Sequence, residues 1–299
     1  MRVLLSGSTG LLGSALVSRL EAEQIEVVRL VRPHSRKVKG IEWDPAAGKI
    51  DKERLEGFDA VVHLAGENIA GRWTKTKKER IRSSRVEGTR LLAGALAKLK
   101  HSPKVLVCAS AIGYYGSRGH EILKESSGAG RSFLGQVCRE WEQAAKPVAD
   151  KDIRVVWLRF GVILSPEGGA LKQMLLPFRM GLGGIIGDGN QYVSWVAIDD
   201  AVGIVVHALN TPGLRGPVNA VAPNPVTNRE FTKALGRALG RPTILPVPEF
   251  LVRLVFGEMA DATILASARV EPSVLKATGY AFRFSEIESA LRHVLGAKS

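Results

Sequence analysis

The stretch VLLSGSTGLLGSAL, residues 3–16, decides how the rest of the chain is read. Val3–Ser6 is a short apolar run that ends in a glycine-rich turn, and Ala15, Leu16 and Leu20 then recur at helical spacing between Ser14 and Glu23. Gly7, Gly10 and Gly13 therefore stand after a strand and before a helix, and each has a mechanical use. Gly7 permits the tight turn, Gly10 lets the backbone approach a pyrophosphate, and Gly13 allows close helix–strand packing. Thr9, Leu11 and Leu12 complete the loop. The helix start presents free N–H groups and a partial positive charge to phosphates. Three glycines alone are a weak signal; the flanking strand and helix supply the context.

Working outward, Ile25–Val31, Ala60–Ala65, Val105–Ala109 and Arg154–Arg159 read as strands, with Arg80–Lys98 and Phe133–Ala149 as long helices between them. That alternation predicts an α/β fold, a Rossmann-type doubly wound parallel sheet covered on both faces. After Gly161 the rhythm changes. Seven glycines between 168 and 189 surround a helix expected at Ala170–Arg179, Pro212–Pro225 is turn-rich, and Thr227 begins a helix at Asn228–Leu239. The expected division is a cofactor-binding domain over 1–165, with 190–220 returning to it, and a smaller C-terminal substrate-binding cap made of 166–189 and 221–299.

The end of the second strand distinguishes two cofactors. Sites for NAD carry an acidic residue there for the ribose 2′-hydroxyl. Here VVRLVRPHSRK has no carboxylate between Val27 and Gly40; Arg32 follows Val31 in the expected place, with Arg36 and Lys37 close behind. A guanidinium pairs with a 2′-phosphate that a carboxylate would repel. NADP(H) is the expected cofactor.

The net charge of +13 raises nucleic acid as a partner. No aromatic interleaving or nucleic-acid motif accompanies the basic groups at 32–39 and 75–85, and an anionic cofactor explains part of the excess. Apolar runs fall short of the roughly 18–20 residues that span a bilayer, and the N-terminus lacks the pattern of a secretory signal. The expectation is a cytoplasmic protein acting on a small molecule, with no membrane partner; homo-oligomerisation stays open. Cys108 and Cys138 show no metal-ligand spacing and read as small buried hydrophobes.

GSTGLLG, HLAGEN (63–68), SAIGYYG (110–116) and WVAIDD (195–200) together resemble the extended short-chain dehydrogenase/reductase superfamily. LLPFRMGLGG (175–184) and NAVAPNPVTNREF (219–231) resemble its atypical "epimerase family" branch, NAD-dependent epimerase/dehydratase-like and sometimes labelled cell-division-inhibitor-like. The resemblance covers nearly the whole chain and implies a Rossmann domain, an NADP-type cofactor and a C-terminal substrate domain. It places Leu64, Ala65 and Gly66 beside adenine and ribose, and Val31 and Arg32 at the 2′-phosphate. Arg85 stands where ordinary members place an asparagine, and Arg80 lies about one turn earlier; both are candidates for the cofactor, with a solvated helix face as the alternative.

The active site departs from that pattern. Ordinary members use a Ser/Thr with a Tyr-x-x-x-Lys pair, whose lysine activates the tyrosine for proton exchange while hydride moves. The usual serine position falls at Ala111, one residue after Ser110, and the expected helix reads FLGQVCREWE, which contains no such pair in either register. The candidate catalytic groups are Ser110, Tyr114 and Tyr115 after one strand and Glu67 after another. Each has a structural alternative: packing for the tyrosines, bracing of the loop for Glu67. His63 reads as a core histidine, Asp199 and Asp200 as helix N-caps, and Arg159 as facing the substrate cleft. The sequence therefore supports an oxidoreductase or epimerase-type enzyme with an unidentified substrate, and alternatively a non-catalytic NADP(H)-binding sensor or regulator.

Overall fold

A computed structural model describes residues 1–33, 38–149 and 151–296. Strand β1 (Arg2–Ser6) leads through the glycine turn into α1 (Leu11–Ala22), and β2 (Glu26–Val31) returns beside it. An edge hairpin, β3 (Ile41–Asp44) and β4 (Lys49–Ile50), precedes β5 (Ala60–His63), α2 (Lys75–Leu96) and β6 (Val105–Ala111). Next come β7 (Ile122–Leu123), α3 (Phe133–Ala144), α4 (Lys146–Ala149), β8 (Arg154–Phe160) and β9 (Val162–Leu164). Then follow α5 (Gly169–Arg179), β10 (Tyr192–Val193), β11 (Trp195–Ala197), α6 (Ile198–Asn210) and β12 (Gly216–Ala220). The order ends with β13 (Val226–Thr227), α7 (Asn228–Leu239), α8 (Glu249–Phe256), β14 (Arg269–Val270), α9 (Ser273–Ala277) and α10 (Ile287–Val294).

The main sheet runs β12-β8-β6-β5-β1-β2-β3-β4, parallel throughout except for the β3–β4 hairpin at its edge. Alternation along each strand serves two cores, as a sheet covered on both faces requires. Val3, Leu5, Val62 and Val107 pack with α1 and α6 on one face. Leu4, Val61, Leu106 and Cys108 pack with Leu92, Leu96 and Val148 from α2 and α4 on the other. The fold is the Rossmann-type α/β arrangement expected from the sequence.

Three local expectations need correction. The helix expected at 133–149 is two, because Pro147 has no N–H to give to the carbonyl four residues back and its ring crowds that position. The turn-rich stretch at 212–225 contains β12, where Pro217 is tolerated because β12 is an edge strand. Asp199 and Asp200 do not cap α6: Ala197 occupies that position, and both aspartates lie in the first turn. Buried Asp200 instead accepts Arg283 N–H (2.8 Å), Phe284 N–H (2.9 Å) and the Tyr280 hydroxyl (3.1 Å), fastening the C-terminal segment to α6.

A further core lies beyond the sheet. Leu171, Leu175 and Phe178 of α5 meet Phe231 and Leu235 of α7 and Ile287 and Leu291 of α10 around Trp195. Helix α7 starts at Thr227 with a capping box: Thr227 Oγ1 accepts Glu230 N–H, and the Glu230 carboxylate accepts Thr227 N–H at 2.7 Å. Among the described residues no helix is long and apolar enough to cross a membrane.

Candidate dinucleotide site

The glycine turn is built so that side chains would not fit. Gly7 has φ +75°, and its carbonyl accepts Gly10 N–H at 3.0 Å. A Cβ on Gly7 would lie 2.7 Å from the Leu64 carbonyl carbon, and one on Gly13 would lie 2.1 Å from Gly7 O. Strand β5 and helix α1 therefore approach the turn at backbone distance. Gly10 caps α1 without a side-chain hydrogen bond, which leaves the first N–H groups of the helix for an external acceptor. Thr9 and Gly10 are exposed, Leu11 is half-buried, and Leu12 and Gly13 are buried. The turn offers backbone donors, a helix N-terminus and no side chain in the way, the features that suit an anionic group.

Beside it, β5 ends at His63 and the chain continues through Leu64, Ala65, Gly66 and Glu67. Arg85 of α2 donates to the carbonyls of Glu67 (3.0 Å) and Ile81 (3.1 Å), and its guanidinium stacks against Trp141. A Cβ on Gly66 would sit 3.3 Å from the Arg85 guanidinium carbon, so glycine here gives the arginine room. Arg85 thus holds the loop from beneath, and any reach toward a cofactor passes through the backbone it braces. Glu67 pairs with Lys77 at 2.8 Å while Ser84 Oγ accepts Glu67 N–H. The hydrogen bond from Lys77 holds the Glu67 carboxyl below the usual carboxylate range, with Arg80 and Arg32 adding to the effect. A low-pKa, ion-paired carboxylate is a poor proton acceptor, and the bracing role fits this geometry better than the base role.

Arg32 and Arg80 thus act on Glu67 only through their charge. Val31 is buried at the end of β2, and Arg32 and Arg80 are exposed. Arg36 and Lys37 lie outside the described residues. Much of the basic run on α2 is compensated internally: Lys77 pairs with Glu67, Lys78 with Glu258 at 2.8 Å, and Arg82 with Glu140 at 2.7 Å.

A buried polar network lies at the same sheet edge. Ser110, at the end of β6, donates to Glu142 Oε1 at 2.8 Å. Arg159, at the end of β8, grips the Glu142 carboxylate through Nε and Nη2, both at 2.8 Å, and donates through Nη1 to the Tyr115 hydroxyl at 2.9 Å. Tyr115 in turn donates to Asn219 Oδ1 at 2.6 Å. Burial disfavours charge on Arg159, but Glu142 outweighs it and keeps the guanidinium firmly protonated. Burial pushes the Tyr115 hydroxyl up to about 12. Arg159 faces this network and not an open cleft, which corrects the expectation from its strand-end position.

Tyr114 differs from its neighbour. It is half-buried, its ring lies over Arg159 with the guanidinium carbon 3.5 Å from the centroid, and its hydroxyl makes no hydrogen bond among the described residues. Ser110 and Tyr115 are held inside the network; Tyr114 is the phenol at its surface. Glu142, Asn219 and Lys77 were not singled out from the sequence. Glu142 lies within the FLGQVCREWE segment, and only the meeting of α3 with β6 and β8 gives its carboxylate partners.

His63 belongs to another buried chain. Ser6 Oγ lies 2.6 Å from Nδ1, Thr89 Oγ1 lies 3.0 Å from Nε2, and Trp141 Nε1 donates to the same threonine oxygen at 2.8 Å. The indole occupies one acceptor position of the Thr89 hydroxyl, and the neutral imidazole donates through one ring nitrogen and accepts through the other. Burial lowers the His63 pKa to about 4, so it is a neutral core residue linking β1, α2 and α3.

With this geometry in view, residues 3–220 match the model of the NAD dependent epimerase/dehydratase family. The chain belongs to that family. Residues 247–294 match a domain of unknown function, DUF1731. An epimerase family protein of Mycobacterium tuberculosis is 43% identical over 290 residues, covering 97% of this chain and 96% of the relative. The crystal structure of human epimerase family protein SDR39U1 (isoform 2) with NADPH is 39% identical, with TM-score 0.90 and 99% of each chain covered. A Corynebacterium glutamicum structure described as a nucleoside-diphosphate sugar epimerase is 38% identical, with TM-score 0.82; it covers 99% of this chain and 58% of its own. The epimerase-family resemblance drawn from the motifs is thus shown over nearly the full length, and the atypical network at the sheet edge is a feature of a family member.

Proposed function

We propose that this chain binds NADP(H) at the C-terminal edge of the sheet and exchanges hydride with a hydroxyl or carbonyl carbon of a small molecule. The observation that carries the reading is the side-chain-free turn at Gly7, Gly10 and Gly13, which opens the unpaired N-terminus of α1 beside Leu64–Gly66. Leu11, Leu12 and Gly13 would present N–H groups to the diphosphate, and Thr9 would sit at its outer side. Val31 and Arg32 would take the 2′-phosphate, with Arg80 as a further candidate there, while Leu64, Ala65 and Gly66 would flank adenine and ribose on a loop held by Arg85. The NADPH in the human structure supports the choice of cofactor.

Nicotinamide, when bound, supplies the hydride chemistry. Tyr114 is the protein group best placed to hold or move a proton on the substrate oxygen. Arg159 and Glu142 position its ring; Ser110 and Tyr115 complete that support. The cap, 166–189 and 221–299, would enclose the substrate.

Titration with NADPH and NADH, repeated on Arg32→Ala, tests the cofactor reading. Tight NADPH binding that weakens selectively in the variant supports it. Equal affinity for the two cofactors, unmoved by the variant, removes the role of Arg32; binding of neither removes the reading itself. A second reading is an NADP(H)-binding sensor without turnover, favoured by the commitment of Ser110, Tyr115 and Glu67 to structural bonds. NADPH oxidation across a panel of carbonyl compounds separates the two.

A further inference from the structure

The N-terminal edge of the sheet, opposite the glycine turn, carries a row of cations. Strands β6, β8 and β12 are parallel neighbours there, and each starts at or directly after one: Lys104 precedes Val105, Arg154 opens β8, and Arg215 precedes Gly216. Adjacent strands lie about 4.8 Å apart, which roots all three cations within roughly 10 Å of one another. Together with Asp59, Leu209 and Pro212 they line a cavity of about 540 Å³. That volume falls within the roughly 300–1,000 Å³ of small-molecule sites. Ala60, Val105 and Leu209, all buried, make part of its lining apolar.

Charge in this cavity is unbalanced. Asp59 is the one carboxylate of its lining among the described residues, and Oδ2 already accepts Arg2 N–H at 2.7 Å. Arg154 is half-buried and fixed in place: Nη1 donates to the Ala208 and Leu214 carbonyls, both at 2.8 Å, and Nη2 to the Leu209 carbonyl at 3.2 Å. These acceptors orient the guanidinium without supplying a full negative charge. Burial, and next the charge of Arg215, hold Arg154 below its ordinary pKa, so the two like charges are close enough to repel. Lys104 and Arg215 are exposed.

We propose that this cavity binds a small organic oxyanion, a phosphate or carboxylate borne on a short apolar body. Lys104, Arg154 and Arg215 supply the positive field, and Ala60, Val105 and Leu209 the apolar contact. A bound anion offsets the repulsion between Arg154 and Arg215. A nucleic acid fits less well: the cations gather around a concavity beside a carboxylate and do not extend along a face. Ser110 and Arg159 lie at the other ends of the seven-residue strands β6 and β8. That distance is roughly 20 Å, so the cavity is separate from the dinucleotide turn.

The test is isothermal titration calorimetry of the full chain with hexyl phosphate and with hexanoate, in about 150 mM NaCl to screen weak surface attraction. Wild type is compared with the double variant Lys104→Glu, Arg215→Glu and with Arg32→Ala at the other edge of the sheet. Circular dichroism checks folding, and Lys104→Gln with Arg215→Gln replaces the double charge reversal if that does not fold. Saturable binding of either probe with a dissociation constant under about 1 mM, weakened about tenfold or more by the double variant and unmoved by Arg32→Ala, supports the proposal. The tighter probe then identifies the anion as phosphate or carboxylate. No binding under about 1 mM, or a smaller effect of the double variant, overturns it. Binding that Arg32→Ala weakens as much overturns it in favour of the dinucleotide turn. A DNA duplex released by the double variant, with steep salt dependence and neither probe bound, overturns it in favour of nucleic acid.

Discussion

Arg159 and Glu142 form a two-point, nearly fully buried ion pair, with both hydrogen bonds at 2.8 Å and the guanidinium only 3% exposed. It stands where the ends of β6 and β8 meet α3. Removing one partner strands a charge away from water. Arg159→Met or Glu142→Leu alone should cost about 3–5 kcal/mol, while the double replacement should cost less than the sum of the two. A double-mutant cycle by urea unfolding measures the coupling; additive effects would show that the pair is not acting as a unit.

The adjacent tyrosines should behave differently when each loses its hydroxyl. Tyr115→Phe removes the donor to Asn219 Oδ1 and an acceptor of Arg159 Nη1, both buried, so a loss of about 1–3 kcal/mol is expected. Tyr114→Phe should stay within about 0.5 kcal/mol of wild type. If turnover is found, Tyr114→Phe should lower it by a factor of about 100 or more without weakening NADPH binding. An unchanged rate would remove Tyr114 from the proton transfer.

Gly13→Ala brings a methyl group to 2.1 Å from the Gly7 carbonyl oxygen. Neither backbone can yield without moving β1 or α1, so NADPH affinity should fall at least about 100-fold, a loss near 3 kcal/mol. Fluorescence titration reads the affinity, and circular dichroism shows whether the fold survives. Retained affinity would mean that the turn is not the diphosphate site.

His63 makes stability depend on pH in a definite direction. Its folded pKa of about 4 lies below the ordinary value of 6.5, so between those values the unfolded chain binds the extra proton. Its contribution is fully present above pH 6.5 and falls as pH drops through this window, the loss reaching roughly 3 kcal/mol by pH 4. Unfolding free energies of wild type and His63→Gln, measured from pH 7 to pH 4.5, should show a shallower slope for the variant. Parallel slopes would exclude His63 as the source.

The sequence by itself determined the architecture and the glycine turn that opens it. Apolar strands of four to seven residues, helical periodicity and the glycines at 7, 10 and 13 are local signals, because turn, strand and helix are set by residues near one another in the chain. The same holds for the capping box at Thr227 and the missing carboxylate after Val31. Tertiary structure alone decided what the polar groups do. Glu142 and Arg159 are 17 residues apart, Tyr115 and Asn219 are 104 apart, and Asp200 meets Arg283 across 83. A carboxylate has no preferred partner until folding removes water from around it, so Asp200 read as a cap and proved to be a fastening for the C-terminal segment. Tyr114 and Tyr115 are neighbours in sequence, yet one hydroxyl is enclosed and the other is not. That difference comes from the packing of β6, β8 and β12, since the cost of leaving a buried hydroxyl unpaired is settled by its surroundings in space.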